Sequence, residues 1–250
     1  MNWHVSPDQF LSLCAAGGRD EFPFPLRYRS AALWEDEHAA NLSAAHEWRR
    51  QLEDPRLERA IRILLTGEIA VEVYGRSTDG SADLNARGSA EGDYAVLARQ
   101  HAAYGDIEIT TMSTALLAAT LAGHIPAAAP GREAERTAST KELVEPGDGA
   151  TVRRPIEDSE TRALRRLLLR ERTATGSIRV LACEDGLRFT PTGDLGWFDV
   201  AGDGRYLFVP GSNTRVSPGT IEVLRKELSS QIDKARRRRR TAQQPSAPFR

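Results

Sequence analysis

The segment from Trp197 to Val209 constrains this chain more than any other: two apolar runs flank a Gly202-Asp203-Gly204 turn. Apolar runs meeting at a glycine-bounded turn are a strong short-range hairpin signal. With Gly202 and Asp203 as the loop, Val200 faces Arg205, Asp199 faces Tyr206, Phe198 faces Leu207 and Trp197 faces Phe208. Side chains alternate between the two sides of a strand. Trp197, Asp199, Tyr206 and Phe208 are therefore expected on one side, and Phe198, Val200, Leu207 and Val209 on the other. Both sides are too apolar to face water. Each must be covered, by a helix of this chain or by another molecule.

The rest of the chain supplies helices and further strands. Residues 3–5 suit a short edge strand, and Ser6-Pro7 opens a helix that stops at Gly17-Gly18. The Phe22-Pro23-Phe24-Pro25-Leu26 segment is expected to be extended, with its Phe pair packed on the body. Helical spacing runs from Ala31 to about Leu52 and again from Pro55 to Gly67. Strands follow at 69–74, 94–100 and 107–112, with a weak one at 84–87 inside the polar, Gly-rich stretch 75–92. An Ala/Leu helix over 114–123 leads into residues 126–158, read as a linker or long crossover. A helix from Ser159 is then followed by strands at 178–183 and 187–190, joined by a turn at Asp185-Gly186. After the hairpin come a short strand at 214–216 and an amphipathic helix to Ala235.

The order helix, four strands, helix thus occurs twice, the second time with an additional short strand. Hairpins and helices also alternate by chance; a true duplication implies a pseudo-two-fold arrangement with the strands joined into one mostly antiparallel sheet. The expected organisation is a single domain over 1–235, with halves at about 1–125 and 159–235, and a disordered Arg-rich tail over 236–250. The tail holds six of the 34 basic residues, leaving 28 against 35 acidic residues in a body of net charge −7. Such a body is a poor polyanion binder.

Catalytic and metal signatures do not emerge. No two of His4, His38, His46, His101 and His124 have ligand spacing on a helical turn, and there is no nucleophile elbow, Walker loop or dinucleotide fingerprint. Asp203 suits a turn tip, whereas Asp199 is placed to pair with Arg205, Arg179 or a donor on a partner. Cys14 and Cys183 are expected as buried reduced thiols. Neither a membrane span nor a signal peptide is read, so the expectation is a cytoplasmic, non-enzymatic protein without cofactor. A small-ligand protein or enzyme with a cleft near Asp199 is the alternative.

Several stretches together resemble the EspG family, cytosolic chaperones of actinobacterial type VII (ESX) secretion. They are Trp197-Phe198-Asp199, Gly204-Arg205-Tyr206-Leu207 and Val216-Ser217-Pro218 with the helix behind it. Towards the N-terminus they are Phe10-Leu11, Gly17-Gly18, Pro23-Phe24-Pro25-Leu26, Ala95–Gln100 and Ile125-Pro126. Residues 75–92, 126–158 and the Arg tail carry no matching motif. The resemblance implies an α+β fold, a central antiparallel sheet with helical bundles and a quasi-two-fold relation between halves. It also implies a function: holding PE–PPE heterodimers soluble by capping the apolar tip of the PPE helical bundle. On this reading the partner surface comprises Arg179, Trp197, Asp199, Tyr206 and Phe208, with Val223, Lys226 and Glu227 on the C-terminal helix. The same aromatics equally suit a core beneath a helix.

Overall fold

A computed structural model describes residues 1–81, 83–144, 159–184 and 188–243. Ten strands form one antiparallel sheet: β1 (Asn2–Val5), β2 (Ile69–Ser77), β3 (Leu84–Glu91), β4 (Tyr94–Gln100), β5 (Ile107–Ser113), β6 (Arg136–Ser139), β7 (Arg172–Cys183), β8 (Phe189–Val200), β9 (Gly204–Val209) and β10 (Asn213–Pro218). Their spatial order is β1-β5-β4-β3-β2-β7-β8-β9-β10-β6. The helices are α1 (Pro7–Ala16), α2 (Glu35–Gln51), α3 (Pro55–Thr66), α4 (Thr114–His124), α5 (Thr140–Val144), α6 (Ser159–Leu168) and α7 (Ile221–Gln243). The chain is α+β. Helix, four strands, helix recurs as α3-β2-β3-β4-β5-α4 and α6-β7-β8-β9-β10-α7, and strands β1 and β6 close the two edges.

Local chemistry fixes the ends of these elements. Ser6 and Gln9 form a capping box on α1, and Asp54 caps α3 through the N–H groups of Arg56 and Leu57, with Pro55 in the first turn. Trp3 Nε1 donates to Asp54 at 2.8 Å, tying β1 to α3. Helices α4 and α7 pack on one sheet face, burying Leu117, Leu121, Leu224, Leu228 and Ile232 against Val71, Val73, Ile178 and Val180. On the opposite face α1 and α3 cover β3, β4 and β5, while α6 covers the β9-β10-β6 end.

Several elements differ from the sequence expectation. Strand β3 runs to Glu91 and is almost wholly buried, because its small residues let helices approach both faces. A Cβ on Gly88 would lie 2.9 Å from Leu117, and the Ser89 hydroxyl donates to Leu64 O at 3.0 Å. Small residues read as a loop here because close packing, not side-chain bulk, holds the strand. Strands 187–190 and 195–200 are parts of one strand, β8, with a bulge at Thr192 between the Val180–Gly193 and Leu181–Pro191 pairs. The turn at Asp185-Gly186 and Leu187 lie outside the described residues. The crossover contributes β6 and α5, elements too short to leave a periodicity.

The N-terminal proline segment makes a turn, Leu26 N–H to Pro23 O at 3.1 Å, around a cis Phe24–Pro25 bond. Of its Phe pair, only Phe22 packs inward, edge-on to Phe10 at 4.8 Å; Phe24 stays 53% exposed. Helix α2 begins at Glu35, where three successive acids meet the positive helix end, leaving Leu33 and Trp34 before it and exposed. Helix α7 continues through Arg236–Gln243, so these eight residues are helical rather than a disordered tail, and 244–250 lie outside the described residues. Once Leu224, Leu228, Ile232 and Ala235 anchor that helix, each added Arg extends it without a new nucleation cost. Arg236 donates to Gly92 O at 3.2 Å. Both cysteines are free and buried, and burial pushes the Cys14 thiol up to about 12. No described helix is long and apolar enough to cross a membrane.

Candidate functional site

The β8-β9 hairpin forms with a three-residue loop, Ala201-Gly202-Asp203, rather than two. Gly202 takes φ +70°, and Asp203 N–H donates to Val200 O at 3.1 Å. Trp197 therefore pairs with Leu207, Phe198 with Tyr206 and Asp199 with Arg205. This one-residue shift turns every β9 side chain to the other side of the sheet. Trp197 and Asp199 lie on the α7 side; Tyr206 and Phe208 lie on the α6 side. The expected shared aromatic face is corrected accordingly.

The hairpin aromatics are largely core. Trp197 is 3% exposed and spans two glycines: a Cβ on Gly176 would collide with the indole, and one on Gly75 would lie 2.9 Å from it. Tyr206 is fully buried, stacked on Phe198 at 5.5 Å beneath α6. Its hydroxyl donates to Asp203 at 2.8 Å and accepts the Glu133 N–H at 3.0 Å. Burial of the phenol pushes its pKa up. Asp203 also accepts the Arg132 N–H at 3.0 Å and pairs with Arg170 at 2.5 Å. Burial raises its pKa, but the bonds from Arg132, Tyr206 and Arg170 outweigh that effect and hold it below the usual value. The loop tip is a structural knot that joins the crossover to the hairpin.

Asp199 is engaged as well. Arg205 clasps it with two bonds of 2.7 Å, and Arg205 Nη1 donates to Pro126 O at 2.6 Å. Arg205 N–H also donates to Ala129 O at 2.7 Å, which seats the crossover on β9. The cavity beside this pair is lined mainly by Ile125, Pro126, Ala127, Ile221 and Leu224. Both carboxylate oxygens of Asp199 are held by Arg205, so Asp199 itself is not free for a ligand.

The remaining expected residues separate. Val223 is half-buried against the main core, and Glu227 is held by Arg215. Lys226 is exposed in the groove between α7 and α4, on the sheet face opposite Arg179 and Phe208. Only Arg179 and Phe208 come together on one surface, and that surface is bare sheet.

Strand β7 explains why. Thr173, Thr175, Ser177 and Arg179 are exposed at alternate positions, so none of the described helices covers this strand on the α3/α6 side. One cross-strand row reads Tyr74, Ser177, Gly196, Phe208. Ser177 and Gly196 form a low floor, and Tyr74 and Phe208 form its walls. Three strand spacings separate the walls, about 14 Å, enough for one helix of about 10 Å diameter. Tyr74 is braced by Phe24 at 6.1 Å and by Arg76 at 4.3 Å. The adjacent row alternates in charge: Arg87, Glu72, Arg179, Asp194. Arg87 meets Glu72 at 2.9 Å, and Arg179 meets Asp194 at 3.4 Å. Burial pushes the Glu72 carboxyl up and the Arg87 guanidinium down. Among the described residues no group of three or more His, Cys, Asp or Glu side chains is placed to hold a metal ion.

Sequence reasoning missed Tyr74, Ser177 and Gly196. The signal was present as the polar alternation of Thr173, Thr175, Ser177 and Arg179, but all of it except Arg179 lies upstream of where the strand was expected to start.

Among the described residues, a ten-stranded antiparallel sheet with helices on both faces and an aromatic-walled gap over β7 and β8 defines an α+β protein whose distinctive surface is open sheet. The chain belongs to the EspG family, whose sequence model matches residues 6–230. In structure it is similar to the Mycobacterium tuberculosis type VII secretion system chaperone EspG5, solved in complex with a PE25-PPE41 dimer. That likeness has a TM-score of 0.62 at 13% identity and covers 94% of this chain and 96% of that one, which shows a shared fold. A Bacillus halodurans protein described as a putative adenylate cyclase gives a TM-score of only 0.15 at 15% identity, covering 73% and 79% of the two chains, and carries no argument. No curated protein matches the chain.

Proposed function

We propose that this protein is a non-enzymatic, cytosolic chaperone of type VII secretion that caps the apolar helical tip of a PE–PPE-type heterodimer. Family membership supports the function, together with a fold shared along nearly the whole chain with EspG5, itself solved with a PE25-PPE41 dimer. The seat for the tip is the bare β7-β8 floor between Tyr74 and Phe208. The observation that carries this placement is the run of exposed β7 residues between the parts of that sheet face that α1, α3 and α6 cover. A helix tip laid there removes apolar surface from water against Phe24, Tyr74 and Phe208. Arg179 and Asp194 at the same level supply charge selectivity more than affinity. The recurrence of element order and the strand order support a single domain over 1–235 with quasi-two-fold halves.

Co-expression with PE–PPE pairs from the same genome, followed by size exclusion, tests the function. A three-chain complex with at least one pair is expected. Failure to co-elute with every such pair contradicts the proposal.

A further inference from the structure

A cavity of about 530 Å³ opens beside the bare floor, bounded by the loop from Gly18 to Phe24, by Leu65 and by Phe189. Glu72 and Arg87 also line it. Arg87 is only 4% exposed, and its guanidinium lies 5.1 Å from the centre of the Phe189 ring. Its Nε donates to Leu64 O at 3.4 Å, and its Nη1 donates to Phe24 O at 3.2 Å and to Glu72 Oε1 at 2.9 Å. Among the described residues neither Arg87 Nη2 nor Glu72 Oε2 makes a hydrogen bond. A donor and an acceptor thus stand side by side in a cavity lined by Phe22, Phe24 and Phe189 and by the charged Arg19, Asp20 and Glu21.

A buried ion pair is by itself weak evidence of a stabilising role. On their other face the same two strands carry Val71, Val73 and Ala86 in an apolar core. Replacing a buried ion pair with well-packed apolar groups is often neutral or stabilising. Arg87 Nη2 and Glu72 Oε2 together match a particular kind of surface. Where one helix ends and the next begins, the last four carbonyls and the first four N–H groups lack helical partners. A loop joining two helices at a bundle tip presents both sets next to apolar side chains.

Resting on the function proposed above, we infer that Arg87 and Glu72 cap the main chain of the client's interhelical loop. Arg87 Nη2 donates to a carbonyl at the end of the first helix, and Glu72 Oε2 accepts an N–H from the start of the second. Phe24 and Phe189 pack the loop's apolar side chains. A carboxylate is also the favoured group at a helix N-terminus, so Glu72 reads the polarity of the tip. The row from Arg87 through Glu72 to Arg179 makes the cavity continuous with the bare floor.

Isothermal titration with the PE–PPE pair captured by the wild-type chain tests this inference. Glu72→Gln is expected to weaken binding tenfold or more, and Phe24→Ala severalfold, with circular dichroism confirming that each variant is folded. If Glu72→Gln does not fold, the double variant Glu72→Leu with Arg87→Met, which removes both charges together, decides. Binding within twofold of wild type for the folded variants overturns the capping role and leaves the proposed function standing. A wild-type chain that captures no pair overturns the function itself.

Discussion

Trp197→Asp is expected to unfold the protein. The indole lies across Gly75 and Gly176 beneath α7 and shares a core with Leu224 and Leu228. Deleting a buried Trp side chain costs about 3–5 kcal/mol, and an unpaired carboxylate in that core adds several more. Total stability of a domain this size is about 5–15 kcal/mol, so the combined loss removes most or all of it. Loss of the far-UV circular dichroism of the folded chain, or a collapse of its urea midpoint, is the expected readout. A Trp197→Asp protein that stays folded yet loses its partner would return Trp197 to the binding surface.

Arg205→Met is the second large effect. Arg205 and Asp199 are 7% and 15% exposed, and the guanidinium also holds Pro126 O. Removing one member of a buried pair strands the other charge, at about 3–5 kcal/mol. The double variant Arg205→Met with Asp199→Leu should recover a large part of that loss, because it removes the stranded carboxylate as well. Urea unfolding of both variants measures the difference. A single variant as stable as wild type would show that the clasp does not hold the crossover.

Much of the fold was legible because long-range order follows local pattern. The Ser6-Pro7 and Asp54-Pro55 starts, the hairpin signal and the repeated helix-strand-helix order place most elements correctly. The site was less legible, for reasons visible in particular residues. A two-residue loop and a three-residue loop differ only at Ala201, yet the choice decides whether Tyr206 faces Trp197 or turns away from it. Ser177 and Gly196 matter for what they leave open, and a gap has no apolar pattern. Arg87 ends what reads as only a weak strand, 84–87, in a polar, Gly-rich stretch, so its pairing with Glu72 depends on strand order in space. Arg179 and Phe208 were found from sequence, but as parts of a different surface.

The central claim is that the client seats on the bare β7-β8 floor. Ser177 is exposed at its centre, and substitutions at such surface positions usually change stability by no more than about 0.5 kcal/mol. Ser177→Arg places a long charged side chain between Tyr74 and Phe208, whereas Leu116→Arg alters an exposed residue on α4, on the opposite sheet face. Titration of each folded variant with the captured PE–PPE pair is therefore the most direct measurement. Loss of binding for Ser177→Arg with wild-type affinity for Leu116→Arg is the predicted result; wild-type affinity for Ser177→Arg would contradict it.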